Sequence, residues 1–217
     1  MSMRQFGIDA TRWGRFCATW MAATAFFLLP GCSGGGSATR DYPLTSETRI
    51  IKAGDRATYA FSGELSGTAT VSIRTEGDLI HLDTTTRFNS PGGPLEFSDT
   101  ETYRQTDGDL FYKHINGFAL EFPKLVNAAT EFANTRRVCA EEDEDGVCLR
   151  EEDEAYGFRV VGQETVTVPA GKFASWKVEV TQGAEIDTWF VAPQLGMFPV
   201  KAVTAGLTMT LQSFELK

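Results

Sequence analysis

The sequence predicts a mainly β fold: an antiparallel sheet of about ten strands, curled into a barrel or half-barrel, with one short helix. Three observations carry that expectation. Apolar and polar residues alternate with period two in run after run from Ile50 onward. Gly- and Asp-containing turn signals separate the runs. Only one stretch reads as a helix, and about three turns of helix cannot shield the dry side of so wide a sheet. The sheet is therefore expected to wrap around itself, with the helix plugging or flanking it.

The first element is not part of that fold. Residues 1–31 open with Arg4, Arg12 and Arg15 against a single acid, Asp9, and continue into a thirteen-residue apolar run from Cys17 to Leu29. As a helix this run is roughly 20 Å long, short of the ~30 Å hydrocarbon core of a bilayer. A basic start and a short apolar stretch describe an export signal. The run ends Leu29-Pro30-Gly31-Cys32. That sequence resembles the lipobox of bacterial lipoproteins, although Pro30 departs from the usual small residue. The resemblance implies that Cys32 becomes the mature N-terminus and carries a diacylglyceryl thioether and an amide-linked acyl chain such as palmitate. Ordinary signal cleavage nearby is the alternative. "SGGGSAT" then reads as a flexible tether, so that residues 32–41 form a leash and 42–217 a single β domain. One acyl chain holds a protein only marginally, whereas two or more hold it stably. Ser33 follows the cysteine in place of the Asp that resembles an inner-membrane retention signal. The expected location is the outer membrane, on its periplasmic face.

Within the domain, "RATYAFS" alternates through Ala57, Tyr59 and Phe61, and "TATVSIRT" through Ala69, Val71 and Ile73. "LIHLDTTTRF" sets Ile80, Leu82 and Phe88 on one side, and "GFALEFP" does the same with Phe118, Leu120 and Phe122. The related sequences "TEGDLI" (75–80) and "TDGDLF" (106–111) read as two hairpins, with Gly77 and Gly108 supplying positive φ. The helix candidate is "PKLVNAATEFANT": Pro123 suits a first turn, and Leu125, Ala128, Ala129 and Phe132 fall at i, i+3, i+4 and i+7. "ASWKVEV" places Ala174, Trp176, Val178 and Val180 together, and "GLTMTLQSF" does so with Leu207, Met209 and Leu211.

From Val161 the chain reads "VGQETVTVPAGKFASWKVEV" and then "IDTWFVAPQLGMFPVK". This stretch resembles a module of small exported bacterial proteins, many of them lipoproteins, with the pattern G-x-E-x-V-x-V-P-A-G-x-F followed by T-W-F-x-A-P-x-x-G. The resemblance implies an antiparallel β fold similar to the half-barrels of lipoprotein carriers, and lends the chain no catalytic residue. Pro169, Ala170 and Gly171 are expected to turn a tight hairpin, Pro193 to break a strand and Gly196 to restart the chain. Trp189 and Phe190 should point to opposite faces, one interior and one at a rim.

Charge excludes some functions. The formal charge of −9 becomes −11 once residues 1–31, with three Arg and one Asp, are removed. Nucleic acid is not an expected partner, since binding it depends on Lys and Arg. Of four cysteines, Cys17 leaves with the signal and Cys32 takes lipid, so Cys139 and Cys148 are expected to pair as a disulfide in an oxidising compartment. Closing that ring is worth about 2.5–3 kcal/mol in the chain-entropy model. Between and beyond these cysteines runs "CAEEDEDGVCLREEDE", with nine acids and one Arg. Glu141, Asp143, Asp145 and Glu152 match part of a calcium-loop spacing, but Glu replaces Asp at the first position and no helix clearly flanks the loop. A solvated acidic hairpin tip is the preferred reading.

His81 and His114 lack neighbours at zinc-ligand spacing, and His81 belongs on the wet face. There is no nucleophile elbow, phosphate loop or dinucleotide fingerprint. No enzyme activity and no cofactor are expected. Two readings remain. In the first, the chain is a lipid-anchored structural or interaction lipoprotein with a packed interior that meets an envelope protein through its loops and acidic tip. In the second, it is a carrier holding an apolar lipid or acyl ligand inside the curled sheet, lined by Tyr59, Phe61, Phe111, Phe118, Phe122, Trp176 and Trp189.

Overall fold

A computed structural model describes residues 40–90, 92–105, 112–114, 126–142, 148–196, 198–204 and 206–217 of the chain. The expected signal, Cys32, most of the tether, Phe111 and the run 117–123 lie outside the described residues. What is described is one large sheet. Its strands are β1 (Asp41–Tyr42), β2 (Arg56–Gly63), β3 (Gly67–Glu76), β4 (Leu79–Phe88), β5 (Leu95–Gln105), β6 (Tyr112–His114), β7 (Glu131–Glu142), β8 (Cys148–Val168), β9 (Gly171–Gln182), β10 (Glu185–Val191), β11 (Pro199–Thr204) and β12 (Leu207–Glu215).

Two meanders make up this sheet. Strands β2 to β6 run one way from the centre and β12 back to β7 run the other, giving the order β6-β5-β4-β3-β2-β12-β11-β10-β9-β8-β7. The first long strand and the last one pair at the seam, with Phe61 opposite Met209 and Tyr59 opposite Leu211. All of these pairings are antiparallel, and only β1 adds in parallel, against β9.

The alternation read from the sequence is the alternation of burial. In β2 Ala57, Tyr59 and Phe61 are buried, and across the ladder stand Ala69, Ile73, Ile80 and Leu82, all buried as well. The dry face continues through Leu211, Ala202, Val178, Val180, Phe158 and Val160. Most of these side chains belong to one core, while Phe61, Ala69 and Phe88 form a smaller satellite.

The expected barrel or half-barrel is not what forms. The sheet is neither closed nor strongly curled, and among the described residues no pairing joins β6 to β7. The dry face is shielded by other means. Residues 40–55, before the first long strand, run as a strap across the sheet. The strap starts as β1, where Tyr42 stacks on Phe173 with ring centroids 4.4 Å apart and Lys172 donates its N–H to the Arg40 carbonyl. The Trp176 indole N–H donates to the Thr45 carbonyl at 3.0 Å, and Gln194 Nε2 donates to the Pro43 carbonyl at 3.0 Å. Farther along, the Arg49 N–H reaches the Pro193 carbonyl at 2.8 Å, and Ile51 is buried. Beside the start of the strap, the tip of the β8–β9 hairpin comes back to β12, with Ala170 N–H directed at the Leu211 carbonyl.

No α-helix forms in the described part of 123–135. Val126 to Thr130 make a turn and β7 begins at Glu131. The cause is local. The Asn127 side chain accepts the Ala129 N–H at 2.8 Å, the Thr130 hydroxyl accepts the Asn127 N–H at 2.8 Å, and the Thr130 N–H closes on the Asn127 carbonyl. Side-chain bonds of this kind offer the backbone an alternative to a helix. Ala128 and Ala129 are exposed, so burial does not reward the helical spacing. Pro193–Leu195 is a single 3-10 turn, which ends β10 as the proline implied.

Candidate functional site

The proposed ligand-lining side chains are where a core places its filler. Tyr59 is 1% exposed, Phe61 3% and Trp176 6%, and Trp189 packs against the same core half-buried. Phe61 belongs to the satellite cluster and Tyr59 and Trp176 to the main core, so these four side chains do not converge on one space. Phe111, Phe118 and Phe122 lie outside the described residues. Trp189 and Phe190 do occupy opposite faces, but Phe190 is the buried one and Lys201 lies over its ring at 5.5 Å. Among the described residues the fully buried Tyr59 hydroxyl has no hydrogen-bond partner, and burial pushes its phenol far above the ordinary range.

One polar pair does intrude on the dry face. Glu101 stands opposite Leu82 in the ladder and accepts the Tyr103 hydroxyl at 2.5 Å, while Tyr103 itself is 2% exposed. Burial raises the Glu101 carboxyl above its ordinary value; the Tyr103 hydrogen bond opposes that shift and the charge of Asp99 adds to it. The folded state thus keeps a proton that the unfolded chain releases. Stability is expected to fall as pH rises from the ordinary Glu range through the raised folded value. Glu101→Gln should remove that fall, as read from urea midpoints between about pH 4 and 7. Superimposable pH profiles for the two proteins would contradict it.

Acidity gathers on the β7–β8 hairpin. In register, Asp153 faces Arg137 and Glu154 faces Arg136, whereas Cys139 faces Glu151 and Glu142 faces Cys148. Asp153 and Glu154 thus have an arginine opposite them and Glu141 stands opposite Arg150, whereas Glu142, Glu151 and Glu152 have none, which leaves excess negative charge toward the tip. Glu151, Glu152 and Asp153 are exposed, Arg150 reaches Glu152 at 3.1 Å, and Leu149 is 61% exposed. The expected hairpin is thus present in its two strands. Asp143 and Asp145 lie outside the described residues, as do the side chains of Glu141, Cys139 and Cys148, on which the calcium and disulfide readings turn. Glu152 lies within β8 opposite Val138. Among the described residues no group of three or more His, Cys, Asp or Glu could hold a metal ion. His81 lies off the core face, as expected, with Nδ1 3.0 Å from the Thr102 hydroxyl and Nε2 3.7 Å from Glu76.

A shallow depression opens between β2 and β12 on the outer face, lined by Arg56, Thr58, Ser213, Phe214 and Glu215. Four of these five residues are polar, which does not suit an acyl chain.

No protein-family model and no curated protein sequence matches the chain. Among solved structures, it is similar to a protein of Bacteroides fragilis described as exported and as having a YmcC-like fold. The TM-score is 0.43 and the identity 13%, over 79% of this chain and 100% of that one. A likeness of that size carries no argument about ligand, partner or activity.

The strap is what sequence reasoning missed. Four of the residues singled out by the C-terminal module, Gly171, Phe173, Pro193 and Gly196, are among its docking points. A Cβ on Gly171 would fall 2.8 Å from the Tyr42 ring and 2.9 Å from the Arg40 carbonyl. One on Gly196 would fall 2.7 Å from Ile51 Cγ2 and 2.9 Å from the Arg49 carbonyl. Phe173, Trp176, Pro193 and Gln194 complete the seat. The only signal in the sequence was the pair of glycines themselves.

Proposed function

We propose that this chain is a lipid-anchored, non-catalytic protein of the bacterial cell envelope that engages a basic protein surface through the tip of its β7–β8 hairpin. The observation that supports an interaction role over a carrier role is the filled dry face: Tyr59, Phe61 and Trp176 are buried against neighbouring side chains, and the strap caps Trp176 and adds Ile51 to the same core. The hairpin adds a reason of its own, since it presents exposed carboxylates beside an exposed Leu149. Anchoring rests on Cys32 and the export signal before it.

Two measurements test the proposal. Cys32→Ser should abolish incorporation of radiolabelled palmitate and release the protein from the membrane fraction. Reversal of Glu141, Glu142, Asp143, Glu144 and Asp145 to Lys should abolish co-purification of the envelope protein that the wild type retains. Palmitate retained in Cys32→Ser, or an unchanged pull-down, would reject the corresponding half. Stoichiometric uptake of a fluorescent fatty acid by the purified domain would favour the carrier reading instead.

A further inference from the structure

On the outer face of the sheet, Ser213, Thr58, Thr70, Thr85 and Ser98 stand opposite one another in consecutive ladders, forming one straight rank of hydroxyls across β12, β2, β3, β4 and β5. Ser213, Thr85 and Ser98 are exposed and Thr58 and Thr70 half-exposed. Thr85 and Ser98 lie 3.4 Å apart, oxygen to oxygen. Strand propensity accounts for threonine on a wet face. It does not account for where the charges go. The rank itself has none. The flanking rows hold Arg56, Asp83 and Glu215 on one side and Arg87 and Glu96 on the other. Those flanking charges are largely answered within the sheet, with Arg74 on Asp83 at 3.2 Å and Arg87 on Glu96 at 2.6 Å. At one end, Thr58 and Ser213 line a shallow depression together with Arg56 and Glu215.

We propose that this rank is a binding track for an extended, uncharged oligosaccharide. Adjacent strands set one hydroxyl every ~4.8 Å, about the rise of one sugar in an extended pyranose chain, so five strands offer about 19 Å of matched donors and acceptors. Each hydroxyl can give and take a hydrogen bond, which is the pairing a polyol needs. A charged polymer would meet ion pairs already closed on themselves. Because neighbouring strands are rotated by roughly 20–25°, the rank winds gradually, which suits a soluble, flexible oligomer better than a crystalline polysaccharide surface.

The test uses the full-length chain with chitopentaose and cellopentaose as neutral probes and polygalacturonate as the charged comparator, read by calorimetry or by NMR shifts. The triple variant T58V/T70V/T85V keeps β-branched side chains of nearly the same shape and removes three hydroxyls. It should bind the neutral probe at least about tenfold more weakly. If that variant melts early, Ser98→Ala with Ser213→Ala serves as the second removal and should also weaken binding. Lysine reversal of the acidic hairpin should leave glycan binding unchanged, which separates this track from the hairpin's partner. No neutral probe bound at millimolar concentration, equal binding by the hydroxyl-deleted variants, or preference for polygalacturonate would overturn the proposal.

Discussion

Asp55→Ala is expected to lower the unfolding free energy by about 3 kcal/mol, at the low end of what breaking a buried ion pair costs. The Asp55 side chain is fully buried, with Arg49 Nη1 at 2.6 Å and Nη2 at 3.0 Å. It also accepts the backbone N–H of Lys52 at 2.7 Å and of Lys217 at 2.8 Å. The same guanidinium donates to the Lys217 carbonyl at 2.7 Å. One carboxylate thus fastens the strap to the last residue of the chain. Arg49 keeps 21% of its side-chain exposure and can turn to water when its partner is lost, which is why the upper end of the range is not expected. The melting temperature should drop by about 6–12 °C. A drop under about 2 °C would remove Asp55 from the account of stability.

The pH dependence has a definite sign. Burial alone would raise the Asp55 carboxyl, but the hydrogen bonds from Arg49, Lys217 and Lys52 and the charge of Arg49 outweigh it and hold the group below its ordinary value. Its contribution is fully present above the unfolded-state value of about 3.9 and is lost as pH falls through the lower folded value. Asp55→Asn should flatten that acid limb while leaving the opposite slope due to Glu101.

Gly196→Val is expected to cost about 2–4 kcal/mol, part from forcing a β-branched residue to φ +67° and part from overpacking. The added carbons would press on Ile51 and on the Arg49 carbonyl, so the damage should be directional. Hydrogen exchange should quicken at residues 44–51 and leave β3 to β5 at wild-type protection. Uniform loss of protection, or none, would argue against strap docking at this glycine.

How much of this was legible in advance depends on the kind of signal. Strands were, because Ala57, Tyr59 and Phe61 alternate with wet neighbours and one residue of slip would expose them all. The helix was misread, because spacing at i, i+3, i+4 and i+7 cannot register that Asn127 and Thr130 tie the backbone into a turn. The barrel was misjudged because only helices were considered as covers. Irregular chain such as residues 43–55 has no period to detect, yet it buries Ile51 and caps Trp176. The aromatic candidates show a related limit, since alternation identifies the dry face but does not distinguish the wall of a cavity from the filler of a core.

The seam between β2 and β12 joins residues at opposite ends of the chain, such as Phe61 and Met209. Contacts of such long sequence separation are slow to form, because loop closure must come first. During synthesis or export, the two meanders can each begin to order, but their union waits until β12 can pair with β2. Until then β2 presents an unpaired edge open to wrong partners. Leu207–Glu215 supplies one side of that seam, and a variant lacking this strand should leave two half-sheets prone to aggregate.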